Sequence, residues 1–263
     1  MTCVCKATPV GGYRLAWIML LLAAASAFDK ALPSDAVSCI SKTPEEGDAK
    51  VTEQNFEQMR RAMVASQLRT TAVNDPRVVA AMSTVARERF VPAAQRSLAY
   101  LDKTLPIAGD RALASPMVLG RLLTEARVKS SDRALVIGAG GGYSAAVLGE
   151  LAGTVTALEE NADLIGDAPA PANVTRVPGP LTKGWAKGAP YDLILFDGAV
   201  EQVPPAIIAQ LAEDGRIAAP IAEKGVTRLA IGRKAGGGFG MISFADAEAP
   251  VLPGFAVEKG FSF

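Results

Sequence analysis

An α/β fold built on a doubly wound, mostly parallel sheet is predicted by three observations. Short apolar runs recur at Ala134–Ile137, Thr154–Leu158, Val174–Val177, Leu193–Phe196 and Arg216–Ala219, nearly unbroken by polar residues, as strands buried on both faces require. Helical segments fall between some of them, at Tyr143–Leu151 and Val203–Ala212, so strand and helix alternate. The tail TRLAIGRKAGGGFGMISF then reads as two strands joined by Gly236, Gly237 and Gly238, an antiparallel hairpin closing the sheet.

The elements follow in chain order. Lys6 and Arg14 precede an eleven-residue apolar run, Leu15 to Ala25, and an A-x-A pattern at Ala25-Ser26-Ala27, the layout of an export signal. That run falls short of the ~18 apolar residues of a membrane span. A second reading places the true start near Val51, where organised sequence begins after a stretch without periodicity. Either way residues 1–50 are set apart as a leader or extension, and 51–263 form one domain: a helical and loop cap over 51–125 and a cofactor-binding sheet over 126–263.

Phe56, Met59, Ala62 and Met63 recur at helical spacing within Glu53–Gln67. Asp75-Pro76 is a cap followed by proline at the first helical position, and Val79, Met82 and Val85 continue the buried stripe of a second helix. Arg87 to Pro116 is irregular and rich in turn formers, in a place suited to meeting a substrate.

The stretch DRALVIGAGGGYSAAVLGELAGTVTALEEN carries the strongest functional signal: strand, glycine turn, helix, and a second strand ending in two acids. Gly138, Gly140 and Gly142 let the backbone approach a ligand at the start of a helix whose N–H groups lack partners. Glu159, 21 residues after Gly138, stands where a carboxylate accepts hydrogen bonds from two ribose hydroxyls. A strand-end surface acid, with Glu160 as its substitute, is the plainer reading. The frame from Gly138 has Tyr143 where a dinucleotide loop wants glycine, which suits S-adenosylmethionine. The frame Gly140, Gly142, Ala145 satisfies G-x-G-x-x-A and leaves NAD open. Asp197 follows the fourth strand at the edge where such folds bind ligands, although an exposed turn aspartate explains it equally well.

Composition narrows the chemistry. Lys plus Arg and Asp plus Glu both total 27, so no net field draws nucleic acid or an anionic membrane. Histidine is absent, which removes histidine bases, Ser-His-Asp and Cys-His systems and most zinc sites, and the three cysteines, Cys3, Cys5 and Cys39, all precede the proposed domain. No nucleic-acid, membrane or metal partner is expected.

Several segments outside the loop resemble the protein-L-isoaspartate (D-aspartate) O-methyltransferase family. These are MVASQLRTTAVNDPRVVAAMSTVARERFVP, AYLDKTLPI, PYDLILFDGAVEQVP and LAEDGRIAAPI, and with the glycine loop they span about Met63 to Pro220. The resemblance implies a Rossmann-like class I methyltransferase with S-adenosyl-L-methionine as cofactor, held by Gly138, Gly140, Gly142 and Glu159. It implies as substrate a peptide carrying an isoaspartyl or D-aspartyl residue, received by the 99–116 segment. Methyl transfer to a carboxylate needs no general base, because the nucleophile is already ionised at neutral pH, which agrees with the missing histidine.

Three positions depart from the family pattern. A serine lies two residues before the proline of RALASPMV in the family; here that residue is Ala114, and Ser115, one place on, is the candidate catalytic residue unless it is an ordinary turn or cap residue. Val136 stands where the family carries an acid that helps hold the loop, and Pro180 where it carries an aspartate near the adenine. These departures keep open a different methyl acceptor, or a silent interaction protein on the same fold. Because S-adenosylmethionine is made in the cytosol, a cytoplasmic location is expected, with export as the alternative if the leader is genuine.

Overall fold

The computed structural model describes residues 48–165 and 169–257. The expected leader, residues 1–50, therefore lies outside the described residues except for its last three, 48–50, which open the first helix. The described residues fall in one compact unit.

Helix α1, Asp48–Met63, runs into a π-helical turn at Val64–Leu68. Helix α2, Pro76–Thr84, begins as the sequence predicts: the Asp75 side chain accepts from the Arg77 N–H at 2.9 Å and proline occupies the first position. The segment expected to be irregular contains a small hairpin, β1 (Leu105–Ala108) and β2 (Arg111–Leu113), turned at Gly109 with φ of 57°. Helix α3, Pro116–Ala126, is absent from the expected elements. Its signal was nonetheless present: a start at Ser115-Pro116 of the same kind as Asp75-Pro76, and buried Val118, Leu119, Leu122, Leu123 and Ala126 at helical spacing.

The sheet is built from β3 (Arg133–Ile137), β4 (Thr154–Glu159), β5 (Val174–Pro178), β6 (Tyr191–Phe196), β7 (Leu211–Glu223), β8 (Val226–Ala235) and β9 (Gly238–Asp246). Its order is β5-β4-β3-β6-β7-β8-β9, parallel through β7 and antiparallel thereafter. Chain order reverses between β3 and β6, and ligands of open α/β sheets bind at the carboxyl ends of strands around such a switch point. Alternate residues of these strands enter two different cores: Ala134, Val136, Leu193 and Leu195 pack with the helices α2 and α3, while Leu135, Ile137, Ile194 and Phe196 pack on the opposite face. Helix α4, Tyr143–Gly149, connects β3 to β4.

One expected helix is corrected. Val203–Ala212 holds only a single turn, α5 (Pro205–Ile208), and Leu211 already belongs to β7, opposite Tyr191. The Gln210 carbonyl accepts the Tyr191 N–H at 2.9 Å, and its side chain bridges the Lys183 carbonyl and the Trp185 N–H, so strand pairing overrides helical preference there.

A buried ion pair joins α3 to the sheet. Arg216 on β7 contacts Asp132 and donates to the backbone carbonyls of Ala126, Arg127 and Asp192, while Asp132 also accepts the Lys129 N–H at 2.7 Å. Asp132→Asn is expected to lower stability by about 3–5 kcal/mol, since it leaves a buried guanidinium without its counter-charge. Urea unfolding checks this, and a loss below 1 kcal/mol would contradict it.

Candidate functional site

The glycine loop lies at the carboxyl end of β3. Gly138, Gly140 and Gly142 have φ of 74°, 53° and 96°, in the left-handed region that disfavours side chains. A Cβ on Gly138 would come within 2.6 Å of Leu252 Cδ2, and one on Gly140 within 2.9 Å of Ile107 Cδ1. The loop is thus roofed by rotatable side-chain ends from the β1–β2 hairpin and from the segment after β9.

Glu159 is 2% exposed, so it is no surface acid, whereas Glu160 is exposed. Its Oε2 accepts the Gly140 N–H at 2.7 Å and an Arg111 Nη2 hydrogen at 3.1 Å, and its Oε1 accepts the N–H groups of Glu160 and Asn161 at 3.0 and 3.1 Å. The expected cofactor residues Gly138, Gly140 and Glu159 therefore meet at the tips of two adjacent strands. Gly142 caps α4, and its hydrogen side faces the Arg176 guanidinium. Val136, where the family acid was expected, is fully buried in the helix-side core. The loop is tied instead from β4, through Glu159.

Two arginines that the sequence reading did not single out organise the surroundings. Arg87, of the RERFVP segment, is fully buried; its Nε donates to the Ala99 carbonyl at 2.7 Å and its Nη2 to the Ala114 carbonyl at 2.6 Å. Its guanidinium lies 4.8 Å from the centroid of the Tyr143 ring, which packs edge-on against Phe90. Burial pulls the Arg87 pKa below the ordinary arginine value. Arg111, 3% exposed, donates through Nη2 to the Gly138 carbonyl at 2.7 Å as well as to Glu159. Arg87 sits in a segment quoted above for the resemblance and Arg111 opens the RALASPMV run quoted for the departures, and an arginine within such an otherwise apolar run was the available signal.

Ser115 occupies the N-cap position of α3, yet its hydroxyl makes no capping bond; Asp102 Oδ1 accepts the Met117 N–H at 3.2 Å in its place. The serine lines a cleft of about 420 Å³ with Asp102, Lys103, Thr104, Met117 and Glu248. No glycine-loop residue lines that cleft. Pro180 begins a short helical turn beyond β5.

Asp197 is 7% exposed, which rules out the exposed-turn reading. Its Oδ2 accepts the Ser144 hydroxyl at 2.6 Å, and its N–H donates to the Ile137 carbonyl at 3.0 Å, fixing it beside the loop. No cluster of metal-ligating side chains occurs among the described residues.

The profile of the protein-L-isoaspartate(D-aspartate) O-methyltransferase (PCMT) family matches residues 58–245. This chain belongs to that family. It is 41% identical over 167 residues to the protein-L-isoaspartate O-methyltransferase of Rhodopseudomonas palustris, covering 60% of this chain and 76% of that one. It is 35% identical over 220 residues to the protein-L-isoaspartate O-methyltransferase 2 of an Anaeromyxobacter species, covering 81% and 86%. Among solved structures, a Plasmodium falciparum protein-L-isoaspartate O-methyltransferase in complex with S-adenosyl-L-homocysteine superposes with a TM-score of 0.63 at 18% identity, over 75% of this chain and 97% of that one. That likeness establishes the shared class I methyltransferase fold.

Asp197 gives the family site a pH signature in this chain. Burial pushes its carboxyl up to about 6 from an ordinary 3.8; the Ser144 hydroxyl, Arg111 and Arg87 pull it back, and Glu159 adds to the rise. The folded chain therefore binds this proton more tightly than the unfolded chain. Its contribution to stability is present below about pH 3.8 and lost as pH rises through about 6, a difference on the order of 3 kcal/mol. Asp197→Asn is expected to gain about 2–3 kcal/mol on the wild type between about pH 4 and pH 7.5. Urea unfolding at the two pH values checks this, and parallel profiles would contradict it.

Proposed function

We propose that this methyltransferase transfers the methyl group of S-adenosyl-L-methionine to the side-chain carboxylate of isoaspartyl or D-aspartyl residues in proteins. The observation that carries the reading is the buried Glu159 carboxylate, drawn to the Gly140 N–H at the switch point of the sheet of a chain that belongs to the PCMT family. The residues present fit the cofactor. Three glycines in left-handed conformations form a cradle that any Cβ would crowd, and an acid at the tip of the neighbouring strand suits ribose hydroxyls. When bound, the cofactor supplies an electrophilic methyl group on a sulfonium.

The chain's own part is positioning. Glu159 and the glycine loop hold the nucleoside end, while Arg87 keeps Ala99 and Ala114, the two ends of the hairpin segment, fixed against Tyr143. The apolar side chains of Leu252 and Ile107 close over Gly138 and Gly140. We assign the peptide to the 99–116 segment, with the uncommitted Ser115 hydroxyl as the group that meets it in the cleft beside α3. The acceptor carboxylate arrives ionised and the sulfide departs neutral, so no proton needs to be moved. Placement of two reactants in line supplies up to ~7–11 kcal/mol in favourable cases.

Isoaspartyl proteins are the partners this reading requires, and the balance of 27 basic and 27 acidic residues favours neither nucleic acid nor an anionic membrane. No helix among the described residues is long and apolar enough to cross a membrane. The cytosolic origin of the methyl donor favours a cytoplasmic protein, which sequencing of the mature amino terminus checks: a start near Val51 agrees with it and a start at Phe28 opposes it.

The decisive assay incubates the purified chain with methyl-labelled cofactor and a pair of peptides differing only in aspartyl or isoaspartyl linkage. Label is expected on the isoaspartyl peptide alone. Glu159→Gln is expected to weaken S-adenosylhomocysteine binding by about 1.5–3 kcal/mol, as a charge-assisted hydrogen bond implies. Cofactor binding without transfer to the isoaspartyl peptide would overturn the substrate, and absence of binding the whole reading.

A further inference from the structure

Arg111 presents an imbalance that the reaction as described does not use. The guanidinium is 3% exposed and carries five N–H donors, of which the two on Nη2 are spent on the Gly138 carbonyl and Glu159. Nε and Nη1 are buried with no hydrogen-bond partner among the described residues. Glu159 cannot serve them, since Gly140, Glu160 and Asn161 take its remaining lone pairs. A buried cation with three idle donors is costly, and an anion placed against them would remove that cost. The surroundings select the kind of anion. Ile107 and Leu252 close over the loop beside Arg111, and the guanidinium lies against the first glycine, 2.9 Å from where a Gly138 Cβ would stand.

Resting on the function proposed above, we infer that Arg111 is a carboxylate-receiving residue of this site: Nη2 fixes the guanidinium to the glycine loop and Glu159, and the unpartnered Nη1 donates to a carboxylate of one of the two reactants. Both reactants carry one. The cofactor has the carboxylate of its methionine end, and the substrate has the isoaspartyl carboxylate that accepts the methyl group. One guanidinium can hold the loop through Nη2 and a ligand through Nη1, two partners that the single ammonium nitrogen of lysine spans less well. Arg111 is thereby a positioning residue that sets affinity for one reactant.

The test uses the full chain and three probes: S-adenosylhomocysteine, methylthioadenosine, which has the same nucleoside but no amino-acid end, and an isoaspartyl peptide. Titration calorimetry gives the first two affinities and initial rates give the peptide KM. If the cofactor supplies the carboxylate, Arg111→Gln weakens S-adenosylhomocysteine about 10- to 100-fold more than it weakens methylthioadenosine, whose own loss reports the released Nη2 bonds to the loop. If the substrate supplies it, the peptide KM rises by a similar factor with S-adenosylhomocysteine unchanged. Either result supports the inference. Arg111→Lys is expected to lose less than Arg111→Gln in the same arm, and stands in for it should the glutamine variant fail to fold.

Three results would overturn the inference: no change in either arm, tighter S-adenosylhomocysteine binding, or an equal loss for methylthioadenosine. The second would mean that the guanidinium fills space the cofactor needs, and the third that it only holds the loop in shape. Failure of the wild-type chain to bind S-adenosylhomocysteine would sink the function reading. A wild type that binds, beside an indifferent Arg111→Gln, would sink this inference alone.

Discussion

The Glu159 carboxylate decides how the carboxyl edge of the sheet is arranged, because its lone pairs are divided among three separately encoded parts of the chain. One oxygen holds Gly140, from the loop after β3, and Arg111, from the hairpin ahead of α3. The other holds the two N–H groups that follow β4 and so shapes the turn the acid itself stands on. A buried carboxylate is tolerable only when its lone pairs are met. The loop, the hairpin and the strand tip must therefore take up mutually compatible positions, and a ligand hydroxyl seeking Glu159 enters a network that is already full. Cofactor binding at such a site is an exchange of hydrogen bonds, which makes selectivity depend on what the ligand can offer the displaced donors as well as on Glu159.

Arg87 performs the corresponding task for the hairpin segment. Its two carbonyl partners, Ala99 and Ala114, bracket the hairpin, and its cation rests on the ring of Tyr143, the first residue of the loop helix. The hairpin segment and the helix after the glycine loop thus share one buried side chain, so movement of either is felt by the other. The exchange of a family serine for Ala114 leaves this link intact, since Arg87 uses only the carbonyl there.

The sheet was largely legible in the sequence because burial on both faces leaves apolar runs, and five parallel strands appear within a few residues of their expected places. Glu159, Gly138 and Gly140 could be placed near one another from sequence because they follow or end two neighbouring parallel strands, although the surface-acid alternative for Glu159 was decided only by its burial. The single-turn α5 was misread because Val203–Ala212 has helical composition, while the deciding contact, Gln210 with Tyr191, lies outside any local window. Asp197 could be placed at the right edge from sequence, but its burial depends on Ser144, 53 residues away. Arg87 and Arg111 were missed for the same reason. An arginine reads as a surface residue until the segments that bury it are assembled, and their partners here are mostly backbone carbonyls, which carry no sequence signal.

The absence of histidine is then consistent with how this site handles charge. Methyl transfer from a sulfonium to a carboxylate consumes one positive and one negative charge and yields a neutral sulfide and a neutral ester. Water stabilises the separated charges more than the charge-dispersed transition state, so a water-poor enclosure favours the reaction without a base. Ile107, Leu252 and Phe90 supply such an enclosure around the loop. Its cost is that any fixed charge inside must be answered locally, and Glu159 answers Arg111 within the same enclosure. Asp197 is the group least well answered, holding its proton to about pH 6 despite the nearby arginines. At neutral pH it adds a negative charge beside the loop, which attracts a cationic methyl donor and repels an anionic acceptor. The guanidinium of Arg111, with donors to spare, is the chain's available means of offsetting that repulsion.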